Sequence, residues 1–190
     1  MKKSLGTTVH AMPTPVWLVG TYDSAGKPNL ATVAWGGVCC SDPASVTVSL
    51  RKARHSYDAI LERQAFTVNI PSNAFVRAAD YAGIVSGRDA DKFAVAGLTP
   101  VRSDLVDAPY VAEFPIVIEC RLSKTVEIGV HTQFIGEIVD IKADESVLDG
   151  NGLPDPAKVM PLVYAPTNRT YYALGEVIAK GFDIGKELMK

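Results

Sequence analysis

The length, composition and charge of this 190-residue chain are those of an ordinary globular protein. At roughly 100–200 residues per domain, we expect a single domain over residues 1–190 with a core that needs no disulfides. Nineteen Lys and Arg against 21 Asp and Glu give a formal net charge of −2, which excludes a general attraction for nucleic acid or for an anionic membrane surface. No apolar run reaches the roughly 18 residues of a membrane span, and polar residues interrupt any signal peptide, so we expect a cytoplasmic protein.

Alternation of apolar and polar residues predicts mostly strands. In chain order they are expected at residues 16–22, 30–35, 46–50, 66–70, 116–122, 133–142 and 169–174. Gly136 is expected to mark a bulge or a close approach. Helical spacing predicts short helices at 56–63 and 73–82, the second capped by Ser72 or Asn73, and residues 144–156 read as an acidic loop. Many short strands with few helices predict a mainly β fold, a closed antiparallel barrel with short flanking helices.

The usual motifs of nucleotide, hydrolase and zinc sites are absent from the sequence. There is no G-x-G-x-x-G, no P-loop and no G-x-S-x-G, and the three histidines lie far apart. Three cysteines, Cys39, Cys40 and Cys120, form no even disulfide set. Adjacent cysteines rarely close a relaxed disulfide, so we expect Cys39 and Cys40 to be structural thiols rather than a redox couple.

The most informative segment is SLRKARHSY, residues 49–57. Basic or potentially basic side chains at Arg51, Lys52, Arg54 and His55 follow a predicted strand, and Ser56 stands where a helix begins. Free N–H groups and partial positive charge at a helix N-terminus, together with a guanidinium and a hydroxyl, suit one phosphate group. The alternative is a solvated basic turn in which Ser56 is an ordinary N-cap.

Three further segments each admit a functional and a structural interpretation. The strand before Gly36 and Gly37 can present its backbone to the edge of a heteroaromatic ring that Trp35 covers, or it can be a bulged strand with Trp35 in the core. Lys92, in the segment GIVSGRDADKF, can neutralise a bound anion, or it can belong to a solvated loop. His131 can meet a cofactor at the head of its strand, or it can be structural.

Seven motifs occur in an order that resembles the flavin reductase-like family of FMN-binding split barrels. They are PTPVWLVGTYD, GKPNLATVAWGG, SLRKARHSY, AFTVNIP, SGRDADKF, APYVAEFPIVIEC and HTQFIGEIVD, and they extend over about residues 2–175. Each motif is weak alone, whereas seven in order are strong. Within the family, the chain is most similar to the flavoredoxin type.

The resemblance implies a six-stranded Greek-key split barrel that forms a homodimer, with one non-covalent FMN in each subunit near the dimer interface. It also implies the site residues. The isoalloxazine ring would lie along Thr32, Val33, Ala34 and Trp35, and the ribityl chain and ring would lie beside Ser49, Leu50 and Arg51. The phosphate would be surrounded by Arg54, His55 and Ser56. The site would be closed by Ser86, Gly87 and Lys92, and His131 would face the nicotinamide or the flavin edge.

The function implied is electron transfer through FMN, in one of two forms, of which the first, a reductase-type oxidoreductase, is preferred and the second is the alternative. In the first, NADH or NADPH reduces the flavin and electrons pass to free flavin or another acceptor. In the second, the protein is a flavoredoxin-type carrier between redox proteins, without its own NAD(P)H turnover. A barrel that binds no flavin and serves as an interaction module is the third alternative. No side chain is assigned as acid, base or nucleophile, because hydride transfer depends on positioning more than on proton chemistry.

Overall fold

A computed structural model describes residues 1–189. Its strands are β1 (Thr14–Pro15), β2 (Trp17–Tyr22), β3 (Pro28–Val33), β4 (Gly36–Ser41), β5 (Ala44–Leu50), β6 (Ala65–Ile70), β7 (Pro100–Arg102), β8 (Pro109–Val111), β9 (Ile116–Ile128), β10 (His131–Ala143), β11 (Leu162–Ala165) and β12 (Thr170–Ala173). Its α-helices are α1 (His55–Arg63), α2 (Val76–Ile84), α3 (Lys92–Ala96) and α4 (Pro156–Val159).

Seven strands form one antiparallel sheet in the order β3-β2-β6-β9-β10-β5-β4. Its two end strands are neighbours in the chain, joined only by Ala34 and Trp35. Six steps of about 4.8 Å would hold β3 and β4 about 29 Å apart in a flat sheet, whereas the three Cα–Cα steps that join them span at most about 11 Å. The sheet must therefore curl until its ends meet.

The curled sheet is a split barrel, as the resemblance implies. No hydrogen-bonded ladder joins β3 to β4 in the part of the chain that the structure describes. We call this gap between β3 and β4 the seam, and the expected closed barrel is wrong there. The main sheet has seven strands rather than six, because β4 is a strand where the sequence indicated a turn after two glycines. Ala34 and Trp35 cross the seam.

Apolar side chains that point inward along the strands fill the barrel. Phe66 and Phe134 are the largest of its fully buried side chains. Gly136 gives them room, since a Cβ on it would lie 2.5 Å from the Phe66 Cζ atom. The register of β10 against β9 also shifts at this glycine, so both parts of the prediction for Gly136 are confirmed.

A second apolar cluster lies outside the barrel, where α2 and α3 cover strands β2 and β3. Leu18, Leu30, Ala79 and Phe93 are at most 2% exposed in it. A small sheet in the order β1-β11-β12 packs beside this cluster. The helices thereby form one wall of a cleft whose other wall is the barrel.

The helices and the cysteines differ in detail from expectation. The second predicted helix begins as a 3-10 turn, Asn73–Phe75, and no side chain caps it, so the caps expected of Ser72 or Asn73 are wrong. Within the predicted loop 144–156 lies another 3-10 turn, Glu145–Val147. Cys39 and Cys40 are exposed on β4, which contradicts their expected role as packed thiols. Among the described residues no helix is long and apolar enough to cross a membrane.

Candidate functional site

A cleft opens where the end of β3, the start of α1, the turn after α2 and the start of α3 meet. Its empty volume is about 420 Å³. Eight of the 14 predicted site residues line it, although they come from four separate stretches of the chain: Thr32, Leu50, Arg54, His55, Ser56, Ser86, Gly87 and Lys92. The structure therefore brings the predicted phosphate segment and the predicted closing segment together.

Lys92 is the main charged group of this cleft. It is only 4% exposed, and its Nζ atom donates to the carbonyl oxygens of Leu30 at 2.7 Å and Ala82 at 2.8 Å. Burial, with a smaller effect of the Arg54 charge, lowers the pKa of Lys92 to about 8. No carboxylate of the described residues forms an ion pair with it. An ammonium group has three N–H donors, so one remains for a ligand.

The short helix α3 holds Lys92 in place. Asp91 precedes it in extended conformation, and its carboxylate accepts a hydrogen bond from the Ala94 N–H at 3.1 Å, which caps the helix. The next side chain, Phe93, is 2% exposed in the outer apolar cluster. A cap on one side and a buried ring on the other leave Lys92 directed at the cleft.

The start of α1 provides the second positive element. Arg54 occupies the N-cap position in extended conformation, and no side chain caps this end of the helix. Ser56 lies inside the first turn and is fully buried, with its Oγ atom accepting from Asn29 Nδ2 at 2.8 Å and Thr21 Oγ1 at 3.2 Å. It is thus not the N-cap of the alternative interpretation. Both hydrogen bonds use its lone pairs, so its own O–H is available to a ligand.

Asn29 is the site residue that sequence reasoning missed. It is 5% exposed and lines the cleft beside Ser56. Gly87 lies directly against it, because a Cβ on Gly87 would be 2.1 Å from the Asn29 Oδ1 atom and 2.6 Å from the His55 Cδ2 atom. The available signal was a polar residue within an apolar strand. His55 itself is turned toward the β2–β3 hairpin, where Nε2 lies 3.6 Å from Asp23 Oδ2.

A second hollow adjoins the cleft and shares Thr32 and Gly83 with it. The predicted residues Val33 and Ala34 line this hollow. It also contains a pair of tyrosine rings, Tyr164 and Tyr171, with centroids 5.3 Å apart and planes inclined by 49°. The Tyr171 hydroxyl donates to Asp80 Oδ1 at 2.9 Å, and burial, more than this bond, raises its pKa. The hollow is thus aromatic and apolar, whereas the cleft is cationic.

Four predicted residues line neither the cleft nor the hollow. The Ser49 N–H donates to the Trp35 carbonyl oxygen at 2.8 Å, which places both residues at the seam. Arg51 is exposed just after β5, and His131 begins β10 one residue before Thr132, which pairs with Leu50. The structure therefore places Trp35 and Ser49 at the seam, and Arg51 and His131 at the neighbouring ends of β5 and β10, rather than around the cleft.

The exposed thiol of Cys39 is not activated. Partial burial and the neighbouring Cys40 raise the pKa of the Cys39 thiol, which is the opposite of what a reactive thiolate needs. Burial also raises the pKa of Cys120, to about 12. Within residues 1–189, no group of three His, Cys, Asp or Glu side chains is placed to hold a metal ion.

Comparison with known proteins places these features in a family. Residues 9–175 match the model of the flavin reductase-like domain. Flavoredoxin of Desulfovibrio vulgaris (Miyazaki F) is 58% identical, with a TM-score of 0.93 over 97% of this chain and 100% of that one. Flavoredoxin from Methanosarcina acetivorans is 29% identical, with a TM-score of 0.93 over 100% of both chains.

A further relative is the high molecular weight rubredoxin of Moorella thermoacetica. It is 27% identical over 149 residues, which are 77% of this chain and 58% of that protein. The family model, the split barrel and the order of the motifs all agree. The chain belongs to the flavin reductase-like family.

Proposed function

We propose that this protein binds FMN without a covalent link, one per subunit of a homodimer, and transfers electrons through it. The observation that carries the proposal is the buried Lys92 ammonium, which has no anionic partner within residues 1–189 and faces a cleft. Burying a charge is costly unless an opposite charge is bound beside it. The cleft is therefore built for an anion, and a phosphate group is the anion that the family resemblance indicates.

The cationic cleft would hold the phosphate of FMN. Lys92 offers one N–H, Arg54 a forked guanidinium, and Ser56 an O–H. The uncapped start of α1 adds backbone N–H groups and the positive end of the helix dipole. Gly87 lets the closing turn lie close to Asn29, so the cleft stays narrow.

The adjoining hollow and the seam would hold the ring. Tyr164 offers an apolar aromatic face, and Ala34, which lies between β3 and β4 and belongs to neither strand, offers main-chain groups, whereas the Trp35 carbonyl oxygen is taken by the Ser49 N–H. When bound, FMN supplies the redox chemistry, by hydride or single-electron transfer. The residues of this chain bind and orient it, and Lys92 and Arg54 balance its negative charge.

The comparisons favour a carrier over a reductase. The flavoredoxin of D. vulgaris is 58% identical over nearly the whole chain, and a further relative, matched over 58% of its length, is named a high molecular weight rubredoxin. We therefore place the flavoredoxin-type carrier, which exchanges electrons with a redox partner protein, ahead of direct turnover with NADH or NADPH. Reductase activity remains the second candidate, because the family model is that of flavin reductases.

Titration with FMN tests the binding site. The pure protein should show flavin absorbance in the blue and near-ultraviolet, and FMN fluorescence should be quenched on binding. Arg54→Ala should weaken FMN by about 1.5–3 kcal/mol, the range of a hydrogen bond to a charged group. Lys52→Ala is the matched control, since Lys52 belongs to the same basic stretch but is exposed and pairs with Glu127 at 2.7 Å. Equal FMN affinity in both variants would contradict the assignment.

Anaerobic reduction separates the two forms of the function. A carrier should be bleached very slowly by NADH and NADPH but rapidly by a reduced redox protein. A reductase should be bleached rapidly by one of the nicotinamides and should turn over with an acceptor. Protein that stays colourless after incubation with FMN would contradict both forms and leave the interaction module.

A further inference from the structure

Residues 174–189, which we call the C-terminal arm, are almost uncovered. The arm follows β12 and contains one short 3-10 turn, Ile184–Leu188. Five of its large apolar side chains are between 83% and 103% exposed: Val177, Ile178, Phe182, Leu188 and Met189. Apolar side chains this exposed stay in contact with water at a cost in free energy, unless another surface covers them.

The exposed apolar area matches what one partner contributes to a stable interface. At roughly 100–150 Å² per side chain, the five side chains present about 500–750 Å². The largest apolar patch of a typical monomer is about 300–600 Å², and one side of a standard interface is about 800 Å². The arm alone therefore supplies most of one side of an interface.

An apolar groove lies on the small sheet from which the arm starts. Its lining residues include Met12, Pro13, Val163, Tyr164 and Tyr172. The arm does not fill this groove in its own chain, since residues 174–179 lie opposite α4 instead, across a hollow of about 1290 Å³. Within the residues that the structure describes, both the groove and the arm are thus without a partner in one chain.

We propose that the arm of one chain packs into this groove on a second copy of the chain, and that the second arm does the same in return. The proposal rests on the homodimer of the proposed function and assigns the segment that holds it together. In a two-fold arrangement each arm and each groove is used once, and no open chain of molecules results. Sixteen residues can reach about 50 Å when extended, which is enough to cross to a neighbour.

The charge of the arm favours this occupant over a membrane or a nucleic acid. Its two positive residues, Lys180 and Lys186, are outnumbered by Glu176, Asp183 and Glu187. Segments that lie on anionic membranes form cationic amphipathic helices, and nucleic-acid tails carry runs of positive charge. A nearly neutral, apolar and extended segment suits an apolar protein groove instead.

The exchanged arm would also reach the cofactor site. Tyr164 lines both the groove and the hollow beside Val33 and Ala34. A partner arm in the groove would therefore lie behind the wall of the ring-binding hollow. Loss of the arm should change the ring environment without removing the phosphate contacts of Lys92 and Arg54.

Sedimentation equilibrium of full-length variants tests the proposal. Ile178→Asp with Phe182→Asp should weaken dimerisation by about 100-fold or more, because apolar anchors at an interface carry most of its binding free energy. Val95→Asp is the control, since Val95 is an exposed apolar residue (62%) on α3, away from the arm and the groove. Dimerisation equal to that of the parent protein in the double variant, or a monomeric parent protein, would overturn the proposal.

Cross-linking identifies the surface that the arm touches. A mixture of ¹⁴N and ¹⁵N chains, re-equilibrated and treated with an amine-reactive cross-linker, should link Lys180 or Lys186 of one isotope to the other isotope. Links found only within one isotope would overturn the proposal, because the arm would then fold onto its own chain. FMN titration of the same samples reports the proposed function separately: a dimer that binds no FMN would contradict that function and leave the arm intact as an interface.

Discussion

Two buried charges in this protein are treated in opposite ways. Glu119 on β9 is fully buried, and its Oε2 atom is bonded by Lys142, which also contacts Asp140 at 3.0 Å. Lys92 is 4% exposed, and among the described residues its Nζ atom hydrogen-bonds only to carbonyl oxygens. The Glu119 carboxylate is thus paired within the chain through Oε2, although its buried Oε1 atom has no hydrogen-bond partner there, whereas Lys92 has no anionic partner among these residues. A buried charge that the fold neutralises supports the structure, and one that the fold leaves open indicates a ligand.

The largest expected effect comes from removing the partner of Glu119. Lys142→Met should lower the free energy of unfolding by about 3 kcal/mol, at the low end for a broken buried pair because Lys142 is partly exposed. Chemical denaturation measures it. Adding Glu119→Gln to Lys142→Met should restore part of the lost stability. FMN affinity of the folded variant should be unchanged, and a parallel loss of FMN affinity would break the distinction between the two charges.

Removing Lys92 should affect FMN binding more than stability, which is the reverse of the pattern expected for Lys142→Met. Lys92→Met should weaken FMN by about 1.5–3 kcal/mol, since it deletes a charged hydrogen bond. The flavin-free protein should not lose stability by the amount that Lys142→Met loses, because no buried anion is left behind. Titration and denaturation of the same sample give both numbers. A large loss of stability with unchanged FMN affinity would assign Lys92 to the structure.

Ser56 is a neutral group that would have both a structural and a binding role, because its Oγ atom accepts buried hydrogen bonds and its O–H is available to the phosphate. Ser56→Ala should cost about 1–2 kcal/mol of stability, because Asn29 Nδ2 and Thr21 Oγ1 lose their buried acceptor. It should also weaken FMN by about 0.5–1.5 kcal/mol through the lost O–H donor. Ser24→Ala, on the exposed turn between β2 and β3, should change neither quantity. A loss of stability alone would remove Ser56 from the phosphate site.

The smallest expected effect is that of pH. Burial holds the pKa of Lys92 at about 8 instead of 10.5, so the folded flavin-free protein binds fewer protons than the unfolded chain between about pH 8 and 10.5. Its stability relative to Lys92→Met should therefore rise with pH in that window. FMN affinity should fall by up to about tenfold from pH 7 to pH 9, as the ammonium loses its proton. A flat affinity profile, or one identical in Lys92→Met, would contradict this.

Local patterns were enough to predict most strands and one end of the site. Arg54, His55 and Ser56 are adjacent in sequence, so their nearness to one another did not depend on the fold. Lys92 joined them because the segment resembled a family motif, although its spacing alone equally suited a solvated loop. These features could be predicted because each depends on a few residues that are close together in the sequence.

Other features depended on contacts between distant residues. Asn29 lies in the site because β3 packs against the start of α1, where Asn29 Nδ2 donates to Ser56 Oγ. Glu119 and Lys142 form their ion pair because β9 pairs with β10. The strand β4 escaped prediction because two glycines and two cysteines carry no clear alternation. This segment is a strand because it pairs with β5, and not because of an alternating pattern in its own residues.

We propose above that Lys92 holds the phosphate of the cofactor. Calorimetric titration of the parent protein and of Lys92→Met with FMN and with riboflavin, which lacks the phosphate, tests this role most directly. We expect the preference for FMN over riboflavin to fall by about tenfold or more in Lys92→Met, from the loss of one charged hydrogen bond, while riboflavin affinity is unchanged. A variant that weakens both ligands equally would contradict it.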